Sequence, residues 1–236
     1  GDAYPIPRLQ ETLSLLGGSK YFTTLDLISG YHQIPVHPDS REKTAFSVLG
    51  RHFQYNRMPF GLKNAPATFQ RVMNDVLDGL LGVDCLVYLD DVVIYAATVE
   101  EHVEKLKRVF ARLHDARLQV NLAKCDFLQE EVRYLGHRIT TEGIMTEPEK
   151  TKAIREFPVP TAVPKLQSFL GLAGFYRRFI PNYSDIASPL TALLKKGTPY
   201  EWKDPQQQAF DELKKKLSEE PVLAYPDLTK QFILAT

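Results

Sequence analysis

The sequence predicts an α+β fold, and three observations lead there. Short β-rich runs and amphipathic helical stretches follow one another without regular βαβ winding. One apolar run is interrupted by the adjacent carboxylates Asp90 and Asp91. Helices dominate after a Gly- and Pro-punctuated stretch at 142–148. With 236 residues the chain can bury a sizeable core, as one large domain or two smaller ones. Hydrophobic content of 44% beside 25% charged residues is ordinary for a globular protein, so disorder is not expected. The longest apolar runs fall far short of the ~18 residues that span a bilayer. No basic-then-apolar segment opens the sequence, so neither membrane insertion nor secretion is expected. Because 29 basic residues balance 29 acidic ones, any contact with a polyanion must be local. Cys85 and Cys125 are too few for a disulfide scaffold and are expected as reduced core thiols.

The elements follow in order. After Tyr4-Pro5-Ile6-Pro7, residues 9–16 fit a short helix that stops at Gly17-Gly18. Residues 21–27 form a β-rich run with Asp26 near its end, and Gly30-Tyr31 follow. Residues 34–36, 44–49 and 52–57 fit short strands, the last two joined as a hairpin around Gly50. Residues 64–81 fit a helix with Asn64 as its cap, Pro66 in its first turn, and Phe69, Val72, Met73, Val76, Leu77 and Leu80 as one apolar stripe. Residues 85–89 and 92–96 are β-branched, aromatic or otherwise apolar, and fit two buried strands joined by a tight turn at the acidic pair. A second helix is expected over 99–117. There Thr98 and Glu101 make a capping box, and Val99, Val103, Leu106, Val109, Phe110 and Leu113 face inward. Strands are expected near 119–121 and 132–139. Beyond a domain boundary at 142–148, helices fit 148–156, 164–179, 184–196 and 205–219, and Phe232-Ile233-Leu234 fits a final short strand.

The acidic pair carries the chemistry. Neighbouring carboxylates raise one another's proton affinity and burial raises it further, so keeping both ionised at neutral pH requires a cation. Asp is also a common turn residue, and the pair alone could simply solvate a hairpin. Asp26 supplies a third carboxylate at the end of another β-run, and a central sheet would bring two such strand ends together. Three acids at one sheet edge suit two Mg²⁺ ions, because hard cations prefer carboxylate and phosphate oxygens. That points to phosphoryl transfer.

Four ordered segments now show a resemblance: Phe22 to Val36 (FTTLDLISGYHQIPV), Met58 to Met73 (MPFGLKNAPATFQRVM), Tyr88-Leu89-Asp90-Asp91, and Tyr134 to Thr140 (YLGHRIT). They resemble the motifs of reverse transcriptases, in detail those of the gypsy class of LTR retrotransposons, and Phe169 to Ser184 (FLGLAGFYRRFIPNYS) extends the likeness. The resemblance implies a right-hand fold with an antiparallel palm sheet. Partial fingers and palm would occupy 1–144, a helical thumb 145–198, and a connection segment with the start of an RNase H-like domain 199–236. The implied activity is RNA-directed DNA polymerisation within a Pol polyprotein.

The same resemblance assigns residues. Asp26, Asp90 and Asp91 would hold two Mg²⁺ ions, with Mn²⁺ able to substitute. One ion would activate the primer 3′-hydroxyl, and the other would neutralise the phosphates of the incoming dNTP. Lys124 would protonate the departing pyrophosphate, although a lone lysine is usually just solvated. Tyr31 would stack under the nucleotide sugar and exclude a ribose 2′-hydroxyl; as a bare feature it fits packing equally. Phe60 and Gly61 would line the nucleotide pocket with Leu27, Tyr88 and Leu89. Gln70 and Arg71 would approach the template or its supporting helix. The hairpin at 134–140, with Gly136 and His137, would grip the primer end, while Tyr134, Leu135 and Ile139 fit a core as well. Arg177 and Arg178, interleaved with Phe175, Tyr176 and Phe179 on a predicted helix, would follow a minor groove. Alternatively Phe175 and Phe179 face a helical core and only the arginines are exposed.

Implied partners are an RNA or DNA template with its primer, dNTPs, the RNase H and integrase of the same polyprotein, and a second subunit in a dimer; no membrane partner is expected. Cytoplasmic virus-like particles are the implied location. The upstream finger strands and their basic residues for the triphosphate are not in the sequence, and residues 232–236 resemble the first strand of RNase H without its first catalytic acid. Two rivals therefore stay open: a catalytically incomplete or domesticated fragment that binds template–primer or a subunit, and a Mg²⁺ nuclease or cyclase with a similar palm.

Overall fold

Alternating side chains build the first sheet. α1 (Leu9–Ser14) leads into β1 (Tyr21–Leu25), whose Phe22 and Leu25 are buried on opposite faces, as period two requires. In the computed structural model, residues 4, 5, 7–219 and 221–225 are described, and the chain divides into two units, Gly1–Leu135 and Gly136–Thr236. The sequence-based boundary at 142–148 lies within the second of these.

In the first unit, β2 (Phe46–Val48) and β3 (Arg51–Phe53) form the expected hairpin, with exposed Phe46 and Phe53 stacked at 5.7 Å. The expected strand at 34–36 is reduced to a single bridge, Pro35 with Arg57, and Pro38–Thr44 is a 3-10 helix. α2 (Ala65–Val76) is shorter than expected, because the chain turns through Gly79 at φ 78°. Asn64 stands at its N-cap position without a side-chain capping bond. β4 (Cys85–Tyr88) and β5 (Asp91–Ala96) form the acidic hairpin, followed by α3 (Val99–Asp115), β6 (Asp126–Gln129) and β7 (Glu131–Tyr134). The sheet order β4-β5-β1-β6 is antiparallel, with Leu25 opposite Val92 and Tyr21 opposite Ala96. One face carries the core: Leu25, Val87, Val92 and Ile94 pack with Phe69, Met73 and Leu77 of the α2 region and Val109 and Leu113 of α3.

α3 departs from its expected stripe. Thr98 Oγ1 accepts the Glu101 N–H at 3.2 Å, but the Glu101 carboxylate reaches Ala97 N at 3.1 Å rather than closing on Thr98. Val103 is exposed, while His102 and Lys105 are buried. Each is held by a polar bond, His102 Nε2 to Thr23 Oγ1 at 2.7 Å and Lys105 Nζ to the carbonyl of Val83 at 2.7 Å. The 119–121 segment contributes one bridge, Val120 with Leu27, instead of a strand.

In the second unit β8 (His137–Thr140) and β9 (Ile144–Thr146) make a hairpin. The helices are α4 (Pro148–Arg155), α5 (Val163–Phe175), α6 (Tyr183–Ala192) and α7 (Asp204–Ser218), and β10 (Val222–Leu223) pairs with β9. Prolines open α4, α5 and α7 within the first two positions, where no donor is lost. Phe169 of α5 meets Phe210 of α7 at 4.6 Å in the core between them. α5 ends at Phe175, short of the expected 179, and Arg177–Phe179 continues as a 3-10 turn into Ile180-Pro181. The strand expected at 232–234 lies outside the described residues.

Candidate active site

Strand register brings the acids together. Continuing the β1–β5 pairing one step past Leu25–Val92 sets Asp26 opposite Asp91. Tyr88 pairs with Asp91 across the β4–β5 turn, so Leu89 and Asp90 are its central residues and Asp91 opens β5. Asp26 and Asp91 line one pocket of about 220 Å³, with Thr24, Lys124, Asp126, Arg133 and Tyr134 in the same wall. Asp90 is exposed beside it and does not line it.

Like charges directly opposite on a sheet repel. The Asp91 carboxyl is accordingly held above its ordinary pKa of 3.8, first by loss of hydration and then by the charges of Asp90 and Asp26. All three influences act in the same direction. The donors are carboxylate oxygens, the chemistry a hard divalent cation takes. Among the described residues no three His, Cys, Asp or Glu side chains are already closed into a ligand cluster. The acids therefore fit a cation by donor type and charge, with Asp26 and Asp91 as its shared wall.

The turn is held from behind. Leu89 has φ 57°, a left-handed conformation that costs a side-chain-bearing residue about 1–2 kcal/mol. Gln70 of α2 is fully buried; its Oε1 accepts the Leu89 N–H at 2.6 Å, and its Nε2 donates to Val87 O at 3.3 Å and Asn74 Oδ1 at 2.9 Å. The expectation that Gln70 meets substrate or template is thus corrected: its amide is consumed in fixing the acidic turn. Asn74 Nδ2 donates in turn to the Tyr4 hydroxyl at 2.7 Å, and the Arg71 guanidinium lies 4.9 Å from the Tyr4 ring.

Asp26 is fixed through its backbone. Its N–H points to Cys125 Sγ at 3.4 Å, and its carbonyl accepts the Asn121 N–H at 2.8 Å. Gln33 Nε2 donates to Ile28 O and Gln119 O at 2.8 and 2.9 Å, which clamps the two segments side by side. The 3-10 turn Leu122–Lys124 is thereby fastened to the end of β1, and exposed Lys124 enters the pocket of Asp26 and Asp91. Leu27 is buried in the core, so its side chain supports the site from beneath instead of lining a substrate pocket.

Tyr31 lies 5.2 Å from the Phe69 ring and 5.1 Å from that of Phe60, which is 60% exposed. Burial, and secondarily the charge of Asp90, raises the Tyr31 phenol pKa. Gly30 permits this packing, because a Cβ there would come within 2.9 Å of the Phe69 ring. Gly61 has φ 86°, a conformation glycine adopts without strain. Tyr88 and Leu89 are half-buried.

In the second unit Gly136 has φ 73° and its carbonyl accepts the Tyr176 hydroxyl at 2.7 Å. His137 is 4% exposed, with its ring 5.1 Å from Phe175 and 5.5 Å from Tyr176. Its expected primer contact is corrected to a packing role, since those rings cover it. Arg177 and Arg178 are exposed and Tyr176 and Phe179 are buried, as the core-facing alternative has them, whereas Phe175 stays 44% exposed beside the arginines, as the interleaved reading has it. Sequence reasoning missed Asp126, Arg133 and Tyr134 as pocket residues. For Tyr134 the signal was the alternation of β7, which buries Val132 and Tyr134 together.

The family described as reverse transcriptase (RNA-dependent DNA polymerase) matches residues 2–139, and one described as an RNase H-like domain found in reverse transcriptase matches residues 202–236. The chain is 49% identical over 236 residues to the retrovirus-related Pol polyprotein from transposon 297 of Drosophila melanogaster, covering all of this chain and 22% of that protein. It is 44% identical to the corresponding polyprotein from transposon gypsy of the same organism, covering all of this chain and 24% of the relative. The chain thus spans less than a quarter of either relative. A foamy viral protease-reverse transcriptase, solved in complex with RNA/DNA hybrid, superposes with TM-score 0.83 at 32% identity, covering 94% of this chain and 30% of that one.

Proposed function

Because this chain belongs to the reverse transcriptase (RNA-dependent DNA polymerase) family, as a domain of the LTR-retrotransposon kind, we propose that it carries the polymerising site of a Pol polyprotein and extends a primer 3′-hydroxyl with dNTPs on an RNA or DNA template. The observation that carries this is the register that sets Asp26 opposite Asp91 in one pocket with Lys124, beside the exposed Asp90. The family is metal-dependent, and Asp26, Asp90 and Asp91 would hold two Mg²⁺ ions, or Mn²⁺ in their place. When bound, such ions lower the pKa of the attacking hydroxyl and neutralise the phosphates.

The chain's own groups do the rest. Tyr31 and Phe60 offer an aromatic wall for the nucleotide sugar and base, and Gly61 leaves the backbone open beside them. Lys124, in the pocket wall with Asp26 and Asp91, would give a proton to departing pyrophosphate. In the second unit the exposed Arg177 and Arg178 offer charge to a phosphate backbone. The partner in the foamy viral structure, an RNA/DNA hybrid, is the nucleic acid this function requires. The RNase H-like match at 202–236 is consistent with a linked RNase H, and integrase, dimerisation and a cytoplasmic particle are proposed from the same kinship.

The test is primer extension on an RNA template, by this chain and by a longer form carrying the preceding polyprotein sequence. Mg²⁺-dependent extension is expected, with a loss of about 10²- to 10³-fold in Asp90→Asn, since catalysis here is mainly charge positioning. Undiminished extension by Asp90→Asn would sink the assignment of the acids. Tight template–primer binding without extension in both forms would favour the rival of a binding fragment.

A further inference from the structure

Tyr134 is the last residue of β7, 3% exposed, and lines the pocket of Asp26 and Asp91. Among the described residues its hydroxyl, closed off from solvent, has no hydrogen-bond partner. Leaving a buried hydroxyl unpaired is unfavourable, and a phenylalanine would fill the same space without that cost. Burial first, and then the charge of Asp91 before those of Cys85 and Tyr88, holds the phenol well above its ordinary pKa of 10.0. It therefore stays protonated and serves as a donor. What it lacks is an acceptor oxygen, and Asp91, in the wall of the same pocket, is the carboxylate whose charge acts on the phenol; its own position must be set when a cation is held.

Resting on the reading that Asp26 and Asp91 hold a divalent cation, we propose that Tyr134 is a positioning residue whose hydroxyl donates to the Asp91 carboxylate oxygen that the cation does not take. Ligating carboxylates are in general hydrogen-bonded in turn, and removing such a partner weakens metal binding about 10- to 100-fold. The arrangement is inert without the cation, because a donor beside an unliganded and repelled carboxylate has no fixed acceptor. With a cation held by Asp26 and Asp91, the remaining carboxylate oxygen of Asp91 would be a fixed acceptor and the cost at Tyr134 would be relieved.

Mn²⁺ titration of the full 236-residue chain, followed by loss of the free-ion EPR signal, tests this with Tyr134→Phe and Asp91→Asn beside the unsubstituted protein. Tyr134→Phe is expected to weaken Mn²⁺ binding about tenfold while leaving the metal-free urea midpoint unchanged or raised, because no existing bond is lost. Equal Mn²⁺ affinity in Tyr134→Phe and the unsubstituted chain overturns the proposal. Mn²⁺ binding that Asp91→Asn leaves untouched overturns the cation site itself, which is a different failure. If the phenylalanine variant does not fold, the near-ultraviolet difference spectrum of the unsubstituted chain decides. Mg²⁺ is expected to shift a tyrosine band that NaCl of equal ionic strength does not, and no such shift counts against the proposal.

Discussion

The two ends of the β4–β5 hairpin treat their charges in opposite ways. At one end Asp84 is 3% exposed and its carboxylate accepts two bonds from Arg108, at 2.6 and 2.8 Å. Beside it Lys105 Nζ donates to Val83 O at 2.7 Å and Tyr95 O at 3.0 Å, and pairs with Glu101 at 2.9 Å. At the other end Asp91 lies opposite Asp26 with Asp90 exposed beside them, and among the described residues none of the three forms an ion pair. The same hairpin thus closes one set of charges and leaves another repelling. Charges buried with partners are structural, whereas acids crowded without one are held for something that binds.

The largest effect on stability is expected at the closed end. Lys105→Met removes the donor to Val83 O and leaves the buried Tyr95 carbonyl unpaired, which should cost about 2–3 kcal/mol in urea denaturation, because an unpaired buried acceptor carries most of the penalty. Mn²⁺ affinity should not change. A parallel loss of Mn²⁺ binding would show that the two ends are not separable. A smaller effect is expected at Gln70, which serves the open end from within the core. Gln70→Met leaves the Leu89 N–H without its acceptor and should cost about 1–2 kcal/mol. Here Mn²⁺ affinity should fall as well, since the left-handed turn that carries Asp90 loses its tie to α2. Unchanged affinity would mean that the turn keeps its shape without Gln70.

How much of this was legible in the sequence follows from the range of each signal. The meeting of Asp26 with the acidic hairpin was legible, because strand period and turn chemistry are local and need only one pairing to join them. The packing under the site was not. Gln70 stands among apolar positions of α2, and nothing nearby in sequence shows that its partners are Val87 and Leu89. On α3 the apolar pattern pointed Val103 inward, but the actual inner positions include His102 and Lys105, paid for by Thr23 and by the carbonyls of Val83 and Tyr95. His137 is similar: the rings that bury it belong to Phe175, Tyr176 and Phe179, far along the chain. Polar residues are buried by distant partners, and periodicity carries no information about those.

The smallest expected effect is the pH dependence of the open end. The Asp91 carboxyl has a folded-state pKa raised above 3.8, so the folded chain holds that proton more tightly than the unfolded one. Its contribution to metal-free stability is therefore fully present below about pH 3.8 and is lost as pH rises through the raised value. Glu101 has the opposite sign: its pKa is lowered from 4.5, chiefly by the bond from Lys105, so its contribution is present above 4.5 and fades as pH falls. The two ends of the hairpin thus oppose one another across the acid range, and the difference between the unsubstituted chain and Asp91→Asn isolates the open end. Asp91 is partly exposed, so solvent screening should hold that difference below about 1 kcal/mol. Without divalent cation, urea midpoints measured from about pH 4 to about pH 7 should show Asp91→Asn gaining on the unsubstituted chain as pH rises. Saturating Mg²⁺ should reverse the order near neutrality, because a cation needs the ionised carboxylate and stabilises only the chain that has it. A pH-independent difference, the same with and without Mg²⁺, would mean that Asp91 is an ordinary turn carboxylate.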